Sequence, residues 1–350
     1  MEKSAKKEIW NIGIVGCGNI SDIHAGTVSA LTNCNLAAAC TRNPDRLKAF
    51  CNTHSTTGYT SYEEFLAHSN LDVVVICTPS GTHLDYGSKA ALAGKHVIVE
   101  KPIEVSVERG LKLVQACRIS SVKLAVIYQN RFIDSVVEMK RYLDQDKIGE
   151  VFMASASVKW FRDQKYYNQS DWRGTLNLDG GGAVINQSIH TIDLLQWMLG
   201  DIESIHAYTA NANHSDIEAE DNATATMRFK NGAIAVFQAS TSIVPAQERT
   251  IELNGKKGTL ILRGDKLSIK TGTEIADSPL PSKATGASGP LDGLSYKNHL
   301  KQYEQIIGAI SNDLEPFVSG EESLKSLAVV EAIYKSAKNR NPVNLNRILP

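Results

Sequence analysis

The sequence has almost no net charge, no long apolar run and no paired-cysteine motif. Its 37 Lys and Arg residues nearly balance its 38 Asp and Glu residues, and a net charge of −1 gives no general attraction to nucleic acid or to an anionic membrane. No apolar segment approaches the roughly 20 residues that span a bilayer. The charged opening MEKSAKKEIW does not resemble a secretory signal. These absences predict a cytoplasmic protein with neither nucleic-acid nor membrane partners.

The six cysteines all lie in the first third of the chain. They form no C-x-x-C pair and show no zinc-type spacing with histidine, so we predict no metal site and a reducing compartment. Internal repeats are also lacking. With 350 residues, 42% of them hydrophobic, the chain can bury a large core and divides most naturally into two domains.

Residues 9–128 alternate between strand-like and helical segments. This alternation predicts an α/β domain on a doubly wound parallel sheet of the Rossmann type, with its ligand at the carboxyl ends of the strands. The predicted strands are 11–15, 35–40, 72–77, 96–99 and 123–127, and the predicted helices centre on 22–31, 44–53, 61–68, 83–93 and 106–118.

Beyond residue 128 the pattern favours an α+β domain with a large open, mainly antiparallel sheet. The predicted elements are strands at 151–159, 205–213, 222–229, 233–242, 248–254 and 258–263, one long helix at 183–199, a loop at 272–296, and closing helices at 297–312 and 321–338. We expect domain limits of 1–128, 129–300 and 301–350, with the helices of the last segment packing back on the body.

The most informative segment is IWNIGIVGCGNIS, where an apolar strand runs into Gly16 and Gly18 just before a helix. Gly16 allows the tight turn, Gly18 lets the backbone approach an anion, and the helix N-terminus supplies N–H groups. The third glycine position of this motif is Ser21. Such a turn predicts a dinucleotide site, and a purely structural glycine turn is the alternative.

Two later strands also end on polar residues. In CTPSGTH, Thr78, Pro79 and His83 follow a buried strand, and in HVIVEKP, Glu100 and Lys101 close the next one. The ammonium group of Lys101 could stabilise a developing alkoxide or pass a proton. The alternative is an ordinary surface lysine.

The long predicted helix follows a glycine-rich lead-in, DGGG, and is apolar over most of its surface. Its spacing places Asn186, His190, Asp193 and Trp197 on one face. A neutral imidazole at His190 suits the removal of a hydroxyl proton. The alternative is a core histidine that is satisfied by Asp193 or by backbone.

A third group of polar residues lies at the predicted domain junction and in the segment beyond it. Gln129 and Arg131 stand at the junction, and Trp172 and Arg173 follow later. Together they offer hydrogen-bond donors and aromatic faces, which suit a polyhydroxylated and anionic ligand. The alternative is solvated charge on a strand edge and loop.

These segments together resemble the Gfo/Idh/MocA family of oxidoreductases. The resemblance spans nearly the whole chain, through GIVGCGNIS, CTPSGTH, VIVEKP, YQNRF, WRGT, DGGG, NQSIHTIDLLQW and PFVSGEESLKSLAVVEAIYKSA. It implies that the first domain binds NAD or NADP, and that the second forms an open sheet that covers the nicotinamide and mediates oligomers. We accordingly expect a homodimer or homotetramer through the C-terminal sheet.

The resemblance also implies roles for single residues. It makes Lys101 the catalytic lysine beside both cofactor and substrate, His190 the general acid or base, and Asn186 the residue that orients the reacting hydroxyl. The residues that it implies are Gly16, Gly18, Asn19 and Ile20 for the pyrophosphate, Thr78, Pro79, His83 and Glu100 for the nicotinamide side, and Gln129 and Arg131 for the approach to substrate.

Two positions depart from the family pattern. Asn186 stands where inositol-type members carry Asp, so a proton relay would rest on His190 and Lys101. The surrounding segment more closely resembles the nucleotide-sugar 3-dehydrogenases that act on UDP-N-acetylglucosaminuronate. The second strand ends in Thr41 and Arg42, without the Asp of NAD sites, and a hydroxyl and a guanidinium suit a 2′-phosphate. We therefore predict NADP(H) as the preferred cofactor, with NAD(H) as the alternative.

The predicted function is that of an NAD(P)-dependent sugar dehydrogenase or ketoreductase. Such an enzyme would move a hydride between the dinucleotide and a secondary alcohol, at C3, of a sugar, sugar acid or nucleotide sugar. One alternative is an NAD-dependent glycosidase that oxidises C3 transiently. Another is a non-catalytic sensor of sugars or dinucleotides on the same fold, which would need neither Lys101 nor His190.

Overall fold

The computed structural model describes residues 7–272, 274–277 and 296–349, with the backbone alone at 274–277. Its strands are β1 (Trp10–Val15), β2 (Cys34–Cys40), β3 (Thr57–Tyr59), β4 (Val73–Ile76), β5 (His96–Val99), β6 (Leu124–Val126), β7 (Val151–Lys159), β8 (Ile202–Ala210), β9 (Asn222–Phe229), β10 (Ile234–Ser240), β11 (Thr250–Gly255), β12 (Gly258–Arg263), β13 (Lys266–Thr271), β14 (Glu274–Asp277) and β15 (Val343–Asn344). Its α-helices are α1 (Asn19–Ala30), α2 (Pro44–His54), α3 (Tyr62–Leu66), α4 (His83–Leu92), α5 (Val107–Ile119), α6 (Asp134–Asp144), α7 (Gln164–Asn168), α8 (Ile189–Leu199), α9 (Tyr296–Ser311) and α10 (Gly320–Asn339).

The chain divides into two compact units, and the first contains a six-stranded parallel sheet in the order β3-β2-β1-β4-β5-β6. This unit takes in the residues up to Glu104, Glu108–Gln129 and the segment that ends at Ser323. Strands β4 (VVVI) and β5 (HVIV) are apolar and almost wholly buried, as is typical of parallel strands that are covered on both faces. The strand order reverses between β1 and β4, which is where sheets of this kind bind ligands. The predicted doubly wound sheet is confirmed.

Helix α9 completes the core of this first unit, although it comes from the far end of the chain. Ile12 of β1, Ala25 of α1 and Ile306 of α9 are all buried in one apolar cluster. The indole N–H of Trp10 donates to the Ser311 hydroxyl over 3.0 Å. Because each fully buried aliphatic side chain contributes about 1.5–3 kcal/mol, this packing attaches α9 firmly to the sheet.

The second unit contains a nine-stranded sheet in the order β14-β13-β12-β11-β7-β10-β9-β8-β15. Strands β7 and β10 pair in parallel, and the other neighbours are antiparallel. Strand β9 alternates buried and exposed residues over its length, which is the pattern of a sheet with one face on a core. The predicted mainly antiparallel sheet is therefore confirmed.

Several elements differ from the sequence prediction. Residues 183–188 of the predicted long helix form a π-helical turn, and α8 begins only at Ile189. Strand β14 lies within the predicted loop 272–296, and residues 273 and 278–295 of that loop lie outside the described residues. The short elements β3 and α7 were not predicted because they lack a long apolar period. Helix α6 and strand β13 were also not predicted.

Within the part of the chain that the structure describes, no helix has the length and apolar content to cross a membrane.

Candidate active site

The glycine turn between β1 and α1 has the conformation that its sequence predicts. Gly16 adopts a φ of +95°, and a Cβ there would lie 2.7 Å from the carbonyl oxygen of Cys77, so only glycine fits. Gly18 is the N-cap residue of α1. Because glycine has no side chain, it cannot cap the first N–H groups of the helix. The first N–H groups of this 12-residue helix, those of Asn19 and Ile20, thus resemble an anion site. The turn fits a dinucleotide pyrophosphate.

Strand β2 ends beside this turn, because β2 is the neighbour of β1 in the sheet. The backbone N–H of Thr41 donates to the Tyr59 carbonyl over 3.2 Å, which fixes the end of the strand. Arg42 follows with an exposed side chain. The structure therefore places both residues at the sheet edge that carries the glycine turn.

His83 joins the segments that follow β4 and β5. Its buried ring nitrogens lie 2.9 Å from the carbonyl oxygen of Thr78 and 3.0 Å from that of Pro102. Burial lowers the pKa of His83 below its usual range. His83 thus connects Thr78, after β4, with Pro102, the residue that follows Lys101.

Glu100 belongs to a hydrogen-bonded network that no sequence pattern predicts. Its Oε1 lies 2.9 Å from His24 Nε2, and His24 Nδ1 lies 2.6 Å from the Tyr303 hydroxyl. The backbone N–H of Lys101 donates to Oε2 over 3.0 Å. Burial acts to raise the pKa of Glu100, but the hydrogen bond and the attraction of His24 outweigh it and lower that pKa to about 2. An ionised carboxylate therefore fixes the backbone at Lys101.

A third side chain with metal-ligand chemistry, that of His299, lies beside this network, with its Nε2 4.0 Å from Glu100 Oε1. Ligand atoms of His24, Glu100 and His299 lie within 4.8 Å of one another. However, the separation of 2.9 Å between His24 and Glu100 is that of a direct hydrogen bond. We therefore interpret the cluster as a hydrogen-bonded network.

In the second unit, the segment that carries Asn186 is the π-helical turn Ala183–Ser188. Such turns are rare and are frequent at functional sites. Hydrogen bonds in such a turn span five residues instead of four. The angle between the Asn186 and His190 side chains around the helix axis therefore differs from that in a regular α-helix. Asn186 donates to the buried carboxylate of Asp179 and accepts from Gln187 Nε2 over 2.8 Å. The amide of Asn186 is therefore oriented from both sides.

The glycine run before this turn allows close packing. A Cβ on Gly182 would lie 1.9 Å from the carbonyl oxygen of Glu220, and a Cβ on Gly181 would lie 2.1 Å from the Tyr334 hydroxyl. Any larger residue would force these contacts apart. The run is a site of close approach rather than a flexible lead-in.

Asp193 forms a buried ion pair with Arg131. The guanidinium donates to both carboxylate oxygens over 2.8 and 2.7 Å, and each side chain is only 1% exposed. Ser326 donates to the same carboxylate over 2.8 Å, and the Trp197 ring lies 5.1 Å from the guanidinium carbon. The prediction that Arg131 contacts substrate stays a prediction, since two of its guanidinium nitrogens already donate to Asp193.

Arg162 joins the predicted residues Trp172 and Arg173 in an aromatic and cationic cluster. The Tyr166 ring has Arg162 at 5.5 Å and Arg173 at 4.6 Å, and Arg173 lies 5.3 Å from the Trp172 ring. Arg162 also donates to Gln187 Oε1 over 3.0 Å, which links the cluster to the neighbour of Asn186. Burial lowers the pKa of Arg162 from its usual value.

Comparison with known proteins identifies the family. The model of the oxidoreductase family's NAD-binding Rossmann fold matches residues 10–128, and that of its C-terminal alpha/beta domain matches residues 140–345. The chain belongs to the Gfo/Idh/MocA oxidoreductase family and is an NAD(P)-dependent enzyme of that class. The predicted family and enzyme class are confirmed.

Similar proteins include both solved structures and curated relatives. The WlbA dehydrogenase from Bordetella pertussis, solved in complex with NADH and UDP-GlcNAcA, is 32% identical, with a TM-score of 0.86 over 97% of this chain and 99% of that chain. Oxidoreductase P35 of Formosa agariphila is 32% identical over 63% of this chain and 70% of its own. Inositol 2-dehydrogenase of Rhizobium meliloti is 25% identical over 95% of this chain and 98% of its own.

The buried pair in the second unit leads to a prediction about stability. Replacing Asp193 with Asn should lower the free energy of unfolding by about 3–5 kcal/mol, because it leaves the Arg131 guanidinium buried without its counter-charge. The double variant Arg131→Met, Asp193→Leu should recover much of this loss. Urea unfolding followed by circular dichroism measures the effect. Glu108→Gln breaks the exposed pair with Lys112 and serves as the control with little change; an equally small effect of Asp193→Asn would contradict the prediction.

Proposed function

We propose that the protein transfers a hydride reversibly between NADP(H) and a secondary alcohol, at C3, of an anionic sugar derivative such as a sugar acid or nucleotide sugar. The observation that carries the proposal is the position of Lys101. It is the second residue after β5, at the sheet edge that bears the glycine turn, and its backbone N–H is bound by ionised Glu100. Groups at this edge of a doubly wound sheet face the ligand.

In this proposal each polar residue has one task. The Lys101 ammonium stabilises the alkoxide, His190 takes the hydroxyl proton, and Asn186 orients the hydroxyl. When bound, the nicotinamide supplies the hydride acceptor. Because Asn186 cannot ionise, Asp179 serves only to orient its amide. The residues that would hold the dinucleotide are Gly16, Gly18, Asn19 and Ile20 at the pyrophosphate, and Thr78, Pro79, His83 and Glu100 on the nicotinamide side.

The preference for NADP(H) is supported by the end of β2. Thr41 and the exposed Arg42 stand there, where a 2′-phosphate needs a hydroxyl and a positive charge. A carboxylate, which would bind the ribose 2′-hydroxyl of NAD, is not present at either position.

The anionic character of the substrate is supported by the arginines of the second unit. The described hydrogen bonds of Arg173 go to neutral acceptors, the Tyr166 carbonyl at 3.3 Å and Gln169 Oε1 at 3.2 Å. Its charge therefore suits a carboxylate or phosphate. In the first unit, Gln129 Oε1 is buried without a hydrogen-bond partner among the described atoms, which suits a sugar hydroxyl. The similar WlbA dehydrogenase was solved with UDP-GlcNAcA, an anionic nucleotide sugar.

We further propose a homodimer or homotetramer through the outer face of the nine-stranded sheet. Apolar side chains there are about half exposed, at Phe152 (49%), Ile234 (51%) and Val236 (49%), and Tyr208 is 63% exposed. Contiguous exposed apolar residues on a sheet face are typical of protein interfaces.

The catalytic assignment predicts the behaviour of two single variants. Lys101→Ala and His190→Ala should each lower kcat by roughly 10²–10⁴-fold, because each removes an acid–base or electrostatic group. Both should bind NADPH as the parent protein does, measured by nicotinamide fluorescence. Lys112→Ala, at an exposed lysine of α5, is the control. Full turnover in either catalytic variant would refute the assignment.

The cofactor preference predicts a selective loss of affinity. Arg42→Ala should weaken NADPH binding by roughly tenfold or more, since a charge-assisted hydrogen bond contributes about 1.5–3 kcal/mol, and should leave NADH binding unchanged. Isothermal titration of both dinucleotides measures this, with Arg118→Ala as a matched exposed-arginine control. Tighter binding of NADH than of NADPH by the unmodified chain would overturn the preference.

The substrate class predicts a charge-dependent KM. In a panel of inositol, neutral sugars, sugar acids and nucleotide sugars, nicotinamide reduction should be fastest with anionic compounds. Arg173→Met should raise KM for these by about tenfold or more and leave KM for neutral compounds unchanged. Equal use of neutral and anionic sugars would contradict the class, and release of an aglycone without net nicotinamide reduction would indicate glycosidase chemistry.

A further inference from the structure

We infer that Glu220 is a positioning residue for the reaction: with Tyr334, it fixes the start of the π-helical turn that presents Asn186 and leads to His190. The inference rests on the proposed function of Asn186 and His190. It concerns a half-buried carboxylate that touches neither of them.

Glu220 binds three successive backbone N–H groups where the turn begins. Its carboxylate accepts from Gly182 over 3.1 Å and from Val184 over 2.8 Å. Its own backbone carbonyl accepts from Ala183 over 3.0 Å. The first N–H groups of a helix have no partner within the helix, so a single residue satisfies most of this helix start.

Tyr334 of α10 completes the arrangement. Its hydroxyl accepts from the backbone N–H of Ile185 over 3.3 Å and donates to Glu220 Oε1 over 3.1 Å. The hydroxyl thus binds the next N–H group along the chain and also holds the carboxylate in place. Four consecutive N–H groups, from residue 182 to residue 185, are bound by these two residues.

The fixed segment connects directly to the proposed catalytic residues. The backbone N–H of Asn186 bonds to the Gly182 carbonyl over 3.1 Å, so Asn186 follows any movement of Gly182. The Ser188 hydroxyl donates to the Ala183 carbonyl over 2.7 Å at the point where α8 takes over. A π turn that loses its first N–H partners can relax toward a regular helix, which would rotate Asn186 away from Asp179 and shift His190.

The charge of Glu220 should change near neutral pH. Burial raises its pKa to about 7, although the backbone and Tyr334 hydrogen bonds act in the opposite direction. Tyr334 is the titratable group that faces it among the described residues; Asp221 instead binds the backbone of residues 212–214, and Glu218 binds Leu176 N–H. The ionised form is the better acceptor for the helix start.

Activity and stability should therefore respond to pH in opposite directions. Ionisation of Glu220 strengthens the helix start, so kcat should rise as the pH passes through about 7. Its pKa is higher in the folded than in the unfolded chain, so the folded protein binds the proton more tightly. The contribution to stability is thus full below the unfolded pKa of about 4.3 and is lost as the pH rises through the folded value.

The test is the kcat–pH profile of Glu220→Gln, which keeps the shape of the side chain and removes its charge. We expect kcat to fall at least tenfold at pH 8 with the Kd for NADPH unchanged, and the ionisation near pH 7 that depends on Glu220 to disappear. Asp221→Asn is the matched control, because the neighbouring Asp221 carboxylate also accepts backbone N–H groups.

Tyr334→Phe is the second variant and keeps the carboxylate. Without the donated hydrogen bond, the charged form of Glu220 is less stabilised, so the midpoint of the kcat–pH profile should move to higher pH. If circular dichroism shows that Glu220→Gln is unfolded, the kcat–pH profile of Tyr334→Phe tests the inference. Parent-like kcat and pH profiles in the folded variants would overturn the inference. Full activity of Lys101→Ala or His190→Ala would instead refute the proposed function.

Discussion

The N–H groups at the start of a helix need acceptors, and the protein meets this requirement in two different ways. At α1, Gly18 provides no side-chain cap, and we propose that a dinucleotide pyrophosphate accepts from these N–H groups. At the π-helical turn, Glu220 and Tyr334 bind four consecutive N–H groups. In these proposals, the first helix start binds a ligand, and the second holds the side chains that follow it in position. Glycines precede both, because each requires close approach of the backbone.

Buried carboxylates in the site act on orientation. Glu100 holds the Lys101 backbone, Asp179 holds the Asn186 amide, and Asp193 holds the Arg131 guanidinium. None of these contacts adds a reacting atom. Each removes a degree of freedom from a neighbouring group, which lowers the entropy that must be lost when the reacting groups align. Removing any one of these acids would thus act indirectly, because the neighbouring group would lose its fixed orientation.

The sequence predicts features that depend on neighbouring residues, such as turns and strand ends. It does not predict contacts between residues that are far apart in the chain. Gly16, Gly18 and the ends of β4 and β5 were predicted, because a strand, a turn and a helix are read within about 30 residues. The Tyr303 hydroxyl beside His24 comes from 279 positions away, and Tyr334 meets Glu220 across 114 positions. The π-helical turn escaped prediction for another reason: apolar spacing cannot distinguish five-residue from four-residue hydrogen bonding over six residues.

The exchange of Asp for Asn at position 186, relative to inositol-type members, can be understood through Asp179. An amide cannot accept the substrate proton, but it can hold a hydroxyl if its own oxygen and nitrogen are fixed. Asp179 binds the nitrogen and Gln187 binds the oxygen, so in the proposed site the negative charge lies on the neighbour of Asn186 and not on residue 186 itself. The Asp179 carboxylate also accepts Gly174 N–H over 2.9 Å, which ties the same charge to the loop bearing Arg173 and Trp172. A single buried acid thus connects Asn186, which is proposed to orient the reacting hydroxyl, with the segment that is proposed to bind the anionic end of the substrate.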